Sequence, residues 1–562
     1  MKTRALLVFI APIIVCSVFG VLPVAATYSE DGTAICSAPR VQNSPKILSD
    51  VDGGAFVLWG DPAHVEFIFE AYAQRIDGWG NPLWPSPDGM SLGFSTGFGN
   101  PARSIVSDGV DGFIAIFVNT LDMTEIRVQR YTQNLVRPWG VSGKRVCVYP
   151  GPRRFLVARA DVSGGVIVAW QEEAISGNEI RAQKFDADGN SLWGDCGIVL
   201  CEDIDPYSVY LEPDGAGGAY YSWTEVGESE TTLYLQRITA AGVADWSPAV
   251  QVFQTSLDYW HGGGELVGVG AGYCVIVWYE HNQDGIGVYR TQLYDLTGTA
   301  QWNVGGAATC TESARRGYLS CTATTDGCIV VGWSAFYTEW DQDDIYVQKM
   351  GFDGTRLWGD NGTTVCEADS IQTIEQILSD DDGGVIVAWW GMGETGIGSY
   401  VQRVDLTGNP DWSGCGVPFP GGSSTEFVAD GYGGLVGVWS EDRGEGSDRD
   451  IYAARIRADG TTEVELPKRR SPVLGQNIPN PFNPQTTIAF DLPSEMLVSL
   501  RVYDVSGRLV DVLVDGEMAQ QGRNEVVWRG RDQAGRLLPS GTYFYRLEAG
   551  GFSETKRMML LK

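Results

Sequence analysis

Histidine is almost missing from this chain: three occur in 562 residues, His64, His261 and His281. A Ser/His/Asp triad, a Cys/His dyad and a His-based zinc site each need histidine, so those chemistries have little to draw on. His281 follows Trp278-Tyr279-Glu280 and reads as a solvated loop residue. Cysteine occurs eleven times, but no two are spaced Cys-x-x-Cys, which argues against a zinc ribbon and a thioredoxin-type site. Positive charge is scarce as well. Against 71 Asp and Glu stand 40 Lys and Arg, a net charge of −31. Residues 468–562 run against that trend with 13 basic and 10 acidic side chains, so the acidity is concentrated in the preceding body. A body of that sign excludes nucleic acid or an anionic membrane as the expected partner, because phosphate binding needs basic patches. Beyond the first 24 residues no stretch is long and apolar enough to span a bilayer, and no 3.6-residue periodicity marks a helix. Gly262-Gly263-Gly264 lacks the following helix and Lys of a phosphate loop.

What the chain has in quantity is glycine, 72 residues, and tryptophan, 19. They recur in order. Asp382-Gly383-Gly384-Val385-Ile386-Val387-Ala388-Trp389 is one of eight copies of a turn followed by an apolar run, and an aromatic closes each run. The other seven end at Trp59, Phe117, Trp170, Trp223, Trp278, Trp333 and Trp439, in steps of 58, 53, 53, 55, 55, 56 and 50 residues. A fixed period of this length marks a repeat architecture. Each copy continues with an acidic loop, a strand ending in Gln-Arg or Gln-Lys, an Asp-x-x-Gly turn and often Trp-Gly, as in Gln183-Lys184-Phe185-Asp186-Ala187-Asp188-Gly189. The apolar runs are too short for helices and follow glycine turns, as strands covered on both faces do. Four short strands per period predict a β-propeller. Repeat eight stops at Asp459-Gly460 without its last segment, and Ala34-Ile35-Cys36 near the N-terminus matches what is missing. The N-terminal strand is therefore expected to complete the last of eight blades, which leaves no free sheet edge. Seven blades remain the alternative if the second repeat is degenerate.

Met1-Lys2-Thr3-Arg4, the apolar run Ala5 to Val24 and Ala25-Ala26 have the layout of a secretory signal peptide, residues 1–26. The propeller is expected over 27–463 and a linker over 464–473, around Pro467-Lys468-Arg469-Arg470. Cys36, Cys147, Cys201, Cys310 and Cys366 share one repeat position and are not expected to pair with each other. In an oxidising compartment local pairs, such as Cys196 with Cys201 or Cys321 with Cys328, are open, and the remaining cysteines read as small buried hydrophobes.

Residues 474–562 have another grammar. Asn480-Pro481-Phe482-Asn483-Pro484 precedes alternating strands, then Tyr503-Asp504, Gly507-Arg508, Gly541-Thr542-Tyr543 with Arg546, and a terminal Lys562. The strand spacing predicts a small antiparallel sandwich. This segment, about a sixth of the chain, resembles the type A C-terminal sorting domains of the type IX secretion system and the Ig-like domain of flagellar hook-capping proteins. The resemblance implies export to the surface or medium of a Gram-negative-type bacterium, with outer-membrane secretion machinery as partner and the motif residues as what it reads.

Carboxylates are the remaining chemical resource. Paired acids suffice for glycoside hydrolysis, and candidates follow the apolar strands: Glu172-Glu173, Glu225, Glu280, Glu339, Asp341, Asp343-Asp344 and Glu441-Asp442. They repeat from blade to blade, whereas an active site should break the symmetry. Asp186 with Asp188, and Asp380 with Asp382, place oxygens close enough for calcium, although turn chemistry accounts for them without metal. Trp260, Tyr337 and Trp340 offer a stacking platform for sugars. The expectation is an all-β secreted or surface-displayed propeller acting as a binding or adhesion scaffold for an extracellular glycan or protein, with no obligatory cofactor. The alternative is a secreted carbohydrate-active hydrolase using paired carboxylates at the propeller channel.

Overall fold

The structure, a computed structural model, describes residues 32–560 apart from 37–40, 63–68, 97–101, 119–124, 148–152, 203–208, 257–262, 337–342, 368–371, 443–448, 462–471 and shorter breaks of one to three residues. The expected signal peptide, Lys562, Pro481, His64, His261, Trp260, Tyr337, Trp340, Glu339 and Asp341 lie outside the described residues. No helix occurs among those described.

Eight antiparallel four-stranded units follow one another along the chain, six as separate sheets and two joined in one eight-stranded sheet. In blade 7 the strands are Gln372–Ser379, Val385–Gly393, Gly396–Val404 and Val417–Phe419. Blades 1 to 6 span residues 43–96, 102–145, 153–201, 209–255, 263–308 and 314–366. Blade 8, residues 426–456, takes its fourth strand from the N-terminus: Thr33–Cys36 pairs with Asp450–Ile456, Ala34 opposite Tyr452. The eight blades and their closure are thus as expected. The first strand of every blade packs against the first strands of both neighbours, and the ring closes between blades 8 and 1. Arg455 of blade 8 reaches Gly78 O of blade 1 at 2.9 Å across that junction.

The repeated residues build one end of the ring. Turns joining strands 1 to 2 and 3 to 4 lie at this end, because successive strands are antiparallel. Asp380 shows the first device. Its Oδ1 accepts from the amides of Asp382 and Gly384, closing the turn, and its Oδ2 meets Arg403 at 2.9 Å. Asp108–Arg130 and Asp214–Arg237 repeat this lock, as do three other blades with Arg or Lys, while blade 6 has Thr324 in the Asp position and its Lys349 meets Asp326 two residues on. Blade 5 alone has Val269 and Leu293 in these places. The second device explains the repeated Gln. Gln183 Oε1 accepts from Trp193 N and its amide donates to Gly194 O, holding the strand 3–4 turn to its strand. The Trp it holds then donates its indole N–H to a carbonyl of the next blade, Trp193 to Ala240 at 3.1 Å and Trp412 to Ala458 at 2.9 Å. Gly242 lies against Trp193 with φ +77°, where a Cβ would stand 2.6 Å from the indole ring, so this turn position needs glycine.

Two disulfides add a covalent version of the same joint. Cys147 of blade 2 bonds Cys196 of blade 3, and Cys366 of blade 6 bonds Cys415 of blade 7. The local pairs that spacing left open do not form: Cys201, Cys321 and Cys328 are free. The reason is radial. A repeat's last strand lies beside the next repeat's strand 3–4 turn, so the partner is 49 residues ahead and not five or seven. Where blade 6 has Asn361 at the corresponding turn, its side-chain oxygen accepts from Thr311 N, Thr311 Oγ1 and Glu312 N of the segment leaving blade 5.

The C-terminal part is a separate β-sandwich. A sheet of Val473–Leu474, Thr486–Leu492 and Gly522–Trp528 faces one of Leu509–Ala519, Met496–Asp504, Gly541–Ala549 and Phe552–Leu560. Phe490 and Trp528 of the first share one core with Leu500, Tyr545 and Leu547 of the second.

Candidate functional site

With one end of the ring occupied by structural repeats, chemistry is left to the other, where the strand 2–3 loops and the blade-to-blade connections lie. Here the inner strands carry bulges opposite the repeated aromatic. Two residues bypass Trp59 in blade 1, Trp170 in blade 3 and Trp333 in blade 6, and one residue is extra beside Phe117, Trp278 and Trp389. Bulges bend a strand and re-aim its side chains. In blade 6 the bulged pair is Tyr318-Leu319, and Tyr318 is held at φ +53° with its ring exposed. A tyrosine in the left-handed region costs about 1–3 kcal/mol, which the surrounding strand must offset.

The symmetry of the ring breaks at that place. The chain leaves blade 5 through a two-residue outer strand, Ala307–Ala308, and pairs again with the same neighbour at Gly287↔Ala314 and Ile286↔Arg315. It continues as the ten-residue inner strand of blade 6, Ala314–Ala323, so blades 5 and 6 form the only merged sheet among the described residues. Tyr279 locks the junction, its hydroxyl lying 2.7 Å from Gly285 O and 2.8 Å from Ala314 O.

Between the two blades opens a cavity of about 520 Å³, walled by Tyr210, Tyr279, Tyr289, Tyr318, Phe336, His281, Arg315, Arg316, Asp284 and Glu265. Burial pushes the Tyr279 hydroxyl up to about 12, against the opposing effect of Arg316, so this phenol stays protonated. His281 stacks on Tyr279 with ring centres 4.9 Å apart. Its Nδ1 lies 2.8 Å from Asn282 O; the carbonyl only accepts, so the proton sits on Nδ1 and Nε2 is left for another partner. Arg315 donates through Nε to Asp284 O at 3.0 Å, and Arg316 through Nε to Gly287 O at 3.1 Å while lying over the Trp333 ring at 5.0 Å. Glu265 accepts from the Cys321 thiol at 3.0 Å, and burial pushes its carboxyl up to about 7, with Cys321 and Arg159 opposing. Its neighbour along the inner strands, Glu212, is also raised by burial and meets Arg159 at 2.7 Å. Glu375 of blade 7 is raised to about 7 by burial alone, and its Oε2 has no hydrogen-bond partner.

Most of the loop carboxylates singled out in the sequence have structural partners. Glu172 and Glu441 accept from the indole N–H of Trp170 and Trp439 at 3.0 Å, and Glu280 pairs with Arg290. Asp343 is raised to about 6 by burial and by Asp344 beside it. Of the candidates among the described residues none walls the cavity; His281, read as a solvated loop residue, does. Arg315 and Arg316 were missed because they belong to no repeat. The one available signal was an Arg-Arg pair in an acidic body, at a connection without the usual grammar.

The calcium candidates fall in two distant blades. Asp186 caps its own turn: burial works to raise its carboxyl, but hydrogen bonds from Asn190, Asp188 and Gly189 hold it below its usual range. Asp380 and Asp382 both meet Arg403. No group of three or more His, Cys, Asp or Glu able to hold a metal occurs among the described residues. In the C-terminal sandwich, Asn480 accepts from Met559 N at 2.8 Å, Phe482 packs on Trp528 at 5.5 Å, and Tyr543 donates to Pro539 O at 2.9 Å. These residues hold the domain together. Asn483, Pro484 and Gly541 lie beside them, and Arg546 lies over the Tyr503 ring at 5.6 Å.

No curated protein matches the chain in sequence. Among solved structures it is similar in fold to a Penicillium chrysogenum α-L-arabinanase complexed with arabinobiose, at 13% identity and a TM-score of 0.31 over 53% of this chain and 92% of that one. An ulvan lyase of a polysaccharide lyase family matches at 12% identity and a TM-score of 0.36 over 68% of this chain and 95% of its own. PorZ, a surface component of the Porphyromonas gingivalis type IX secretion system, matches at 11% identity and a TM-score of 0.15 over 94% of this chain and 100% of its own. Residues 476–551 match the family model of the FlgD Ig-like domain. By its closed ring of blades the chain is a β-propeller, followed by a C-terminal segment similar to the FlgD Ig-like domain.

Proposed function

We propose that this is an extracellular carbohydrate-binding propeller, with its glycan seated in the cavity between blades 5 and 6 and the Ig-like module serving as its export address. The observation that carries the reading is the cavity itself: aromatic rings and cationic donors gathered where the ring departs from its repeat. A sugar offers an apolar C–H face and a rim of hydroxyls. Tyr318 and Phe336, with ring centres 6.4 Å apart, suit the face, and Arg315 and His281 Nε2 suit the rim. Two inter-blade disulfides support export to an oxidising compartment. The similarity of residues 476–551 to the FlgD Ig-like domain supports an Ig-like module, with outer-membrane secretion machinery as the proposed partner.

The test is a glycan microarray probed with the full chain and with a Tyr318→Ala/Phe336→Ala variant. The reading expects glycans bound by the parent and lost by the variant while its melting temperature is kept. Binding unaffected by the variant would move the site elsewhere, and no binding to any glycan would end the reading.

A second reading, cleavage of the bound glycan, is favoured by one observation. A carboxyl held near 7, as Glu265 is, suits a general acid at neutral pH. Shortened products that disappear with Glu265→Gln, with binding retained, would establish cleavage; intact glycan after incubation from about pH 5 to 8 would leave recognition alone.

A further inference from the structure

The cavity's charge is opposite to that of the protein around it, and we propose that its ligand is an anionic saccharide, whose carboxylate or sulfate is held by Arg315 and Arg316. The inference rests on the carbohydrate reading and adds to it the chemical class of the sugar. Arginines elsewhere in the ring are mostly spent on carboxylates, as Arg75, Arg130, Arg237, Arg403 and Arg455 are. Arg315 and Arg316 form no ion pair among the described residues, and their protein acceptors are all backbone carbonyls, Asp284 O, Gly287 O and Glu312 O. Both terminal amino groups of Arg315, and one of Arg316, keep their donors. A guanidinium oriented through Nε with its terminal groups free presents the planar edge that a carboxylate or sulfate takes two bonds at a time.

The acids in the wall do not cancel this. Glu265 is held near 7 by burial and is hydrogen-bonded to Cys321, so about half of it is neutral at pH 7 and most of it below. Asp284 is an exposed loop residue, and its backbone carbonyl orients Arg315. In a chain of net charge −31 a diffuse surface field repels anions, so an anion is selected only by local, directed donors. That makes the site selective for an oligosaccharide, whose stacking on the aromatic wall holds the acid group in place, over a free anion.

The test is calorimetric titration of the full chain with three oligosaccharide sets: neutral, uronate-containing, and sulfated on a neutral backbone. Parent protein, Arg315→Gln and Arg316→Lys are compared. Binding is expected for one or both acidic sets, about tenfold weaker for the neutral set. Arg315→Gln should lose about tenfold on the acidic sets only, and the acidic affinity should fall between 50 and 500 mM salt, roughly the range over which screening shortens to a few ångströms. Preference between the uronate and sulfated sets identifies the acid group. Equal affinity for neutral and acidic sets, or an Arg315→Gln variant that folds and binds unchanged, would overturn the anionic assignment while leaving the carbohydrate reading standing. Failure of all three sets to bind would overturn both.

Discussion

Tyr318 shapes the proposed site through its backbone as much as through its ring. A positive φ at a bulky exposed residue raises the energy of the folded chain, and the bulge opposite Trp333 keeps it there. Replacing it by glycine removes both the strain and the ring. Tyr318→Gly should therefore leave thermal stability within about 1 kcal/mol of the parent, because relief of strain offsets the looser unfolded chain, while glycan affinity falls by about tenfold. A variant that is both destabilised and fully binding would reverse the assignment. Glu375 offers a test of the buried acids away from the site. Its carboxyl is raised to about 7 from an ordinary 4.5, so its proton is held more tightly in the folded state. The stability associated with that proton is complete below about 4.5 and is lost as pH rises through about 7. Glu375→Gln should melt higher than the parent at pH 8, by a difference on the order of 1 kcal/mol after allowance for partial exposure, and the difference should vanish near pH 4.5. Melting curves at the two pH values decide it.

At the scale of the element, the blade joints show why one part of the sequence was readable and another was not. The Asp, Gln, Trp and Gly recur because most blades use the same turn lock and the same indole bridge to the next blade. Periodicity therefore announced the strands, their order and the closure by Ala34-Ile35-Cys36. The disulfide partners were misjudged because pairing was sought within a repeat, while Cys147 and Cys196 meet across a blade boundary that sequence distance does not show. Each of these bridges closes a loop worth roughly 2–4 kcal/mol on chain-entropy grounds. Cys147→Ser and Cys366→Ser should each lower the melting temperature, and the parent should fall further in reductant, which opens both bridges. Asn361→Ala, which removes three hydrogen bonds at the corresponding joint, should cost about 1–3 kcal/mol, and that cost should be the same with and without reductant. Equal stability of the cysteine variants and the parent under oxidising conditions would show that the bridges do not form. The cavity escaped sequence reading for the opposite reason: Arg315, Arg316 and Tyr318 lie where the repeat lapses, and a lapse has no pattern to recognise.

For the molecule as a whole, closure is the decisive contact. The strand Thr33–Cys36 covers the edge of blade 8, and Ile35 and Cys36 are buried in the core shared with blade 1. Removing residues 27–40 exposes that edge, and the truncated protein should melt lower and associate on standing, since an uncovered strand edge templates further pairing. Removing residues 474–562 should leave the propeller's melting transition in place. A first truncation as stable and monodisperse as the parent would contradict closure by this strand. The acidic body, the repeated structural end and the cavity between blades 5 and 6 together make one claim, that this propeller works at one lapse in its symmetry. The most direct measurement is hydrogen–deuterium exchange of the full chain with and without a glycan selected from the array. Protection confined to residues 279–289, 314–319 and the strand end at Phe336 is the predicted result. Protection spread evenly over equivalent loops of all eight blades, or confined to the C-terminal sandwich, would contradict it.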